Sequence, residues 1–135
     1  MNNPDARQMA LWIDHIEARV FHVGGETFDE STVHSPNHHV QRHPKSQETE
    51  THRHPQDEPR FFGEVIKTLK DADEILILGP SVTKLHFLRY AQAHAPAVAN
   101  HIVGLESADH PTDRQLIAHV RHYFHSERPR LGLST

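Results

Sequence analysis

No cysteine occurs in the 135 residues, which excludes a disulfide framework, a thiolate zinc site and a cysteine nucleophile. Long apolar runs are missing too. None approaches the ~20 residues that cross a bilayer, and the first thirty residues hold no signal-peptide core. Hydrophobic side chains make up only 36% of the chain and aromatics 7%, so part of the length has too little to bury. What remains is enough for one domain with a real core. These absences together lead us to expect a cytosolic protein.

Histidine, by contrast, is abundant. Fifteen of them outnumber the 14 Lys and Arg together. Unperturbed imidazole titrates near pH ~6.5, so protonating them all would reverse the formal charge of −4. Charge is also divided along the chain. Residues 1–79 carry 8 basic and 14 acidic side chains, whereas residues 80–135 carry 6 and 4. The second part therefore has a mild positive bias that suits, without proving, an RNA-facing surface.

The hydrophobic pattern divides the chain into elements. Met9-Ala-Leu-Trp-Ile13 reads as a buried strand. Asp14-His-Ile-Glu17 turns the chain into a second strand, where Ala18, Val20 and His22 alternate against Arg19, Phe21 and Val23. Gly24-Gly25 supplies positive φ cheaply for a hairpin, and residues 26–34 return as a third, more polar strand. The stretch 35–55 differs in kind. It carries Pro36, Pro44 and Pro55, five histidines and one clearly apolar residue, Val40. It reads as a flexible, histidine-rich loop, since it has nothing to offset the entropy of ordering.

Order resumes at Asp57, a candidate N-cap, with Pro59 in the first turn. Phe61, Phe62, Val65, Ile66 and Leu69 then recur at helical spacing. Glu74-Ile-Leu-Ile-Leu78 is a continuous apolar strand that demands cover on both faces. After Gly79-Pro80-Ser81, a helix carries Val82, Leu85, Leu88 and Ala91, and ends near Pro96. A strand follows at His101-Ile-Val-Gly-Leu105. Thr112 and Gln115 have capping-box spacing ahead of a last helix that buries Leu116, Ile117, Val120 and Phe124. The resulting order is β-β-β-α-β-α-β-α: antiparallel first, then alternating and so parallel. It predicts an α/β domain over residues 1–135 with a mixed five-stranded sheet and helices packed on it.

This order and the residues that fill it resemble the middle domain of the archaeal and eukaryotic peptide-chain release factors and of Pelota. Bacterial release-factor-like proteins of the translational machinery component group are similar as well. The likeness is carried by Ala10-Leu-Trp-Ile-Asp14, Glu17-Ala-Arg-Val-Phe21, the Gly24-Gly25 turn and Ile75-Leu-Ile-Leu-Gly-Pro80 with Lys84. Ile102-Val-Gly-Leu-Glu106 and the helix from Asp113 to Phe124 complete it, so that residues 9–125 are covered. The resemblance implies a ribonuclease-H-like fold and a place on or near the ribosome. It also exposes a departure. In the release factors the loop after the third strand carries a Gly-Gly-Gln motif that enters the peptidyl-transferase centre. The loop 35–55 has no glycine at all. With no room either for stop-codon or GTPase-binding domains, a conventional release factor is not expected, nor is any catalytic residue.

Three constellations are candidates for binding. Ser81 and Lys84, in the turn from the apolar strand into its helix, are placed to meet an anion with free backbone N–H groups; plain capping by Ser81 is the simpler reading. Lys84, Arg89, Arg114, Arg121 and Arg128 suit RNA phosphates, which position a protein without reading sequence; solvated helix faces are the ordinary alternative. His38, His39, His43, His52 and His54 have spacings that allow Zn or Ni coordination, against a loop that binds metal only opportunistically. Asp14 ends the first strand where a nuclease acid would sit, but reads better as a turn former. His22, His86, His101 and His119 read as half-buried packing residues. The expected protein is a noncatalytic partner of ribosome or RNA; the alternative is a metal-binding or pH-responsive module.

Overall fold

The computed structural model describes residues 7–24, 27–36 and 57–125. The chain forms strands β1 (Gln8–Ile13), β2 (Glu17–Gly24) and β3 (Thr27–His34), then helix α1 (Asp57–Leu69) and strand β4 (Glu74–Gly79). Helices α2 (Thr83–His94) and α3 (Pro96–Ala99), strand β5 (Ile102–Ser107) and helix α4 (Asp113–His125) follow. Apart from the single turn of α3, this is the order that the periodicity predicts. Pro96 explains the addition. It cannot continue α2, yet it suits the first position of a new helical turn.

One sheet holds all five strands in the order β3-β2-β1-β4-β5. β1 pairs antiparallel with β2 and parallel with β4, and β5 joins β4 in parallel. The two-residue period of each strand sorts its side chains between two cores. Leu11, Ile13, Val20, Ile75 and Ile77 lie with Phe62, Val65 and Leu69 of α1 and Phe87 of α2. Ala10, Trp12, Phe21, Leu76 and Leu78 lie with Leu116, Ile117 and Val120 of α4. The molecule is thus three layers, with α1 and α2 on one face of the sheet and α4 on the other. Cover on both faces is why β4 is an uninterrupted apolar run, buried from Ile75 to Gly79.

The local signals are met with small adjustments. Asp14 is the turn former: its Oδ1 accepts from the Ile16 and Glu17 N–H groups, each at 2.9 Å. Thr112 and Gln115 close a reciprocal capping box at 3.0 and 3.1 Å. Asp57 is the first residue of α1 rather than its cap. Ser81 does not cap α2. The cap position falls on Val82, whose side chain has no hydrogen-bonding group. The expected loop 35–55 lies outside the described residues from position 37 onward.

Candidate nucleic-acid interface

The turn after β4 is tight because Gly79 lies against the backbone of Ile13, where a Cβ would run into the carbonyl oxygen. The chain then passes through the exposed Ser81 into α2. Lys84 folds back so that its Nζ donates to the Ser81 carbonyl at 2.7 Å. The first turn of α2 contains no acidic residue. Arg89 is exposed on the same helix. Arg114 is exposed in the first turn of α4, and Arg121 is half-buried two turns later.

These cations do not form one continuous patch. α2 and α4 cover opposite faces of the sheet, so Lys84 and Arg89 belong to one layer and Arg114 and Arg121 to the other. What they share is an end. Both helices begin directly after the carboxyl ends of parallel strands, so Lys84 and Arg114 start from the same rim of the sheet. Arg128 and the histidines His38, His39, His43, His52 and His54 lie outside the described residues. Among the described residues, no group of three or more His, Asp or Glu side chains is set to hold a metal. No helix among them is long and apolar enough to cross a membrane.

The same rim carries a polar cluster built on Trp12, which is fully buried. Its Nε1 donates to the Asp109 carbonyl at 2.8 Å. The Arg19 guanidinium lies 4.5 Å from the ring centroid, and the His110 ring 5.0 Å away on a tilt. Arg19 also pairs with Asp113 at 2.5 Å, across 94 residues of sequence. His110 reaches Asp109 through Nδ1 at 3.2 Å and approaches Asp14 through Nε2 at 3.5 Å. Asp14 is therefore spent on a turn and a histidine, as a structural acid would be.

Glu30 on β3 completes this corner. Partial burial, then the hydrogen bond and charge of Asp113, hold its carboxyl above the ordinary range; Arg19 opposes the shift and Glu17 adds to it. A raised carboxyl means that the native state binds more protons than the unfolded chain. Its stabilising contribution is then full below the unfolded value of 4.5 and is lost as pH rises through the raised native value. Because the group is largely solvated, the effect is small. Glu30→Gln is expected to raise stability by about 0.5 kcal/mol at pH 7 and to leave it unchanged at pH 4. Thermal melts at the two pH values check this; a lower midpoint at pH 7 would show that the Arg19 pairing dominates.

Histidines within elements depart from expectation. His22 is half-buried, but His86, His101 and His119 are exposed. They pair across elements instead of packing: His86 with Glu58 at 3.6 Å, His119 with Glu106 at 2.6 Å, and His101 through Nδ1 with the Asp73 carbonyl at 3.0 Å.

A further surface was not legible in the sequence. Between α1 and the α2–α3 corner runs an open groove of about 660 Å³. Gly63, Ile66, Lys67 and Lys70 form one wall, at the spacing of a single helix face. Tyr90 and His94 form the other, and residues 95–98 with His101 close its end. The sequence signal was present only as two separate stripes four residues apart in period, with no indication that they face each other.

Solved structures share this architecture. Pelota from Archaeoglobus fulgidus matches with a TM-score of 0.62 at 17% identity, over 88% of this chain and 32% of that one. Pelota from Thermoplasma acidophilum gives 0.59 at 19% identity, over 86% and 32%. The archaeal translation termination factor aRF1 gives 0.52 at 9% identity, over 87% and 38%. The chain thus spans about a third of the length of these structures. No protein-family model and no curated protein matches the sequence. At these identities the likeness establishes the fold. It is the mixed five-stranded sheet with packed helices found in Pelota and the release factors, as the sequence resemblance implied.

Proposed function

We propose that this chain is a noncatalytic, translation-associated protein that docks on the ribosome or on RNA. The fold it shares with Pelota and an archaeal termination factor is the observation that carries this reading. Supporting it, exposed or half-exposed cations stand on the two helices that start from one rim of the sheet: Lys84 and Arg89, Arg114 and Arg121. Arg128 extends the same set in sequence. Residues 35–55 contain no glycine and so no Gly-Gly-Gln motif, which argues against peptide release. Asp14, the acid that follows β1, is committed to its turn, which argues against its serving as a metal ligand in two-metal nuclease chemistry.

The test is co-sedimentation of the full chain with ribosomes across a salt series. Phosphate docking is expected to give comigration at low salt that falls steeply as salt rises. Replacing Lys84 and Arg114 together by alanine should lower the slope of log affinity against log salt by about 1 for each phosphate contact removed. Absence from every ribosomal fraction at low salt would defeat the proposal.

A second reading is a module that holds Zn or Ni through His38, His39, His43, His52 and His54. It is supported by the density of histidine in that stretch of sequence. Stoichiometric zinc that survives dialysis, and is lost when these five become alanine, would favour it over ribosome docking.

A further inference from the structure

We propose that the groove between α1 and the α2–α3 corner binds single-stranded RNA, its bases seated against Tyr90 and His94 and its phosphates held by Lys67 and Lys70. The inference rests on the RNA-docking reading and adds a site on a different part of the surface.

Four observations support it. First, the groove's volume of about 660 Å³ lies within the range of ligand cavities, about 300–1,000 Å³. Second, aromatic rings climb from the core to its mouth. Phe62 lies 5.6 Å from Tyr90, and Tyr90 lies 4.7 Å from His94, whose ring is exposed. A ladder that starts in the core is held rigid and ends on a ring to which a splayed base can add. Third, the basic groups in the lining are Lys67, Lys70, His94 and His101, and among the described residues no carboxylate joins them. That balance is complementary to a phosphate backbone. Fourth, the floor between them is apolar, formed in part by Ile66 and Val98. Unpaired bases cover such a floor, whereas a duplex keeps its bases stacked inside and offers mainly sugar and phosphate.

Neighbouring acids do not oppose this strongly. Glu64 pairs with Lys67 at 3.2 Å, but both side chains are more than half exposed, and such pairs are worth about 0–1 kcal/mol. A phosphate can displace the carboxylate at little cost. Lys67 and His94 also stand in the last turns of α1 and α2, where a cation complements the helix end in any case. Compensation alone would give these side chains no role in nucleic-acid affinity, and that difference is measurable.

The probe is a fluorescein-labelled oligouridylate of about ten nucleotides, within the range of single-strand site sizes, followed by anisotropy with the full chain. Lys67→Ala with Lys70→Ala, and separately His94→Ala, are expected to weaken binding about tenfold, the scale of losing one stacked base or its phosphate contacts. All three side chains are solvent-facing, and circular dichroism verifies that the variants fold. Arg60→Ala, at an exposed cation of α1 outside the groove lining, should leave oligouridylate affinity within about twofold. Wild-type chain that sediments with ribosomes but ignores the oligonucleotide would overturn the groove and leave the docking proposal standing. Failure in both assays would overturn both. Equal affinity of wild type and groove variants would overturn the groove alone. So would an acidic amphipathic peptide that binds the groove where the oligonucleotide does not, since the site would then be a protein-docking surface.

Discussion

Trp12→Ala is expected to cost about 4 kcal/mol, the scale of removing a fully buried aromatic side chain. Trp12 is wholly inaccessible and lies at the centre of the core beneath α4. Its loss leaves a cavity and also strips three groups of their partner. The Asp109 carbonyl loses the indole N–H, His110 loses its ring contact, and Arg19 loses the face over which it lies. Arg19 is the most sensitive of these, because its buried Nε has no hydrogen-bond partner among the described residues. A domain of this size has about 5–15 kcal/mol of stability in total, so the variant is expected to keep about 1–11 kcal/mol and to unfold at a much lower urea concentration. Trp12→Phe keeps the ring and removes the donor, and should cost about 1–3 kcal/mol. Urea denaturation followed by circular dichroism reads both, since this is the only tryptophan of the chain and its fluorescence disappears with it. A loss below 1 kcal/mol for the alanine variant would show that α4 is not held by this contact.

Gly79→Ala is expected to destabilise by about 3 kcal/mol, at the severe end of overpacking. An added Cβ would collide with the carbonyl oxygen of Ile13. That obstacle is backbone in the neighbouring strand, so no side-chain rotation relieves it. Relief requires β1 and β4 to separate at their carboxyl ends, where the turn into α2 begins. Gly63→Ala is the matched control. There a Cβ would meet only the Tyr90 hydroxyl at 3.5 Å, an ordinary contact in the middle of α1. Alanine should be favoured at that position by about 0.5–1 kcal/mol. Denaturation midpoints of the two variants should therefore move in opposite directions. Equal behaviour would mean that the close approach of β1 and β4 is not as described.

Much of the fold was legible because its signals are local. The alternation in Ala18-Arg-Val-Phe-His-Val23 marks a strand with two different faces, and both faces are seen to be used. The stripe from Phe61 to Leu69 marks a helix with one buried side, as observed. Thr112 and Gln115 announced the start of α4 from four adjacent residues. Less of the candidate interface was legible. Arg114 and Arg121 do share a helix, but Lys84 and Arg89 lie in the other layer. The histidines expected to pack were found largely on the surface, paired with acids from other elements.

The sequence by itself determined the number and kind of elements, with one helical turn added by Pro96, and which side of most is buried. It did so because periods of 2 and 3.6 residues are properties of the local backbone. In α2 the stripe Val82, Leu85, Leu88 and Ala91 gives way to Thr83, Phe87 and Ala91 as the buried residues, and Val82 is exposed. The sequence also determined that residues 35–55 carry no Gly-Gly-Gln motif. Only the tertiary structure decided which element covers which face. That choice fixes whether two cations share a patch, joins Arg19 to Asp113 across 94 residues, and brings Glu30 close enough to Asp113 to raise its carboxyl. It also sets Lys67 and Lys70 opposite Tyr90 and His94. The physical reason is that burial tells a side chain only to leave water. Which partner it meets there depends on how the chain crosses the sheet, and that is a property of the whole fold.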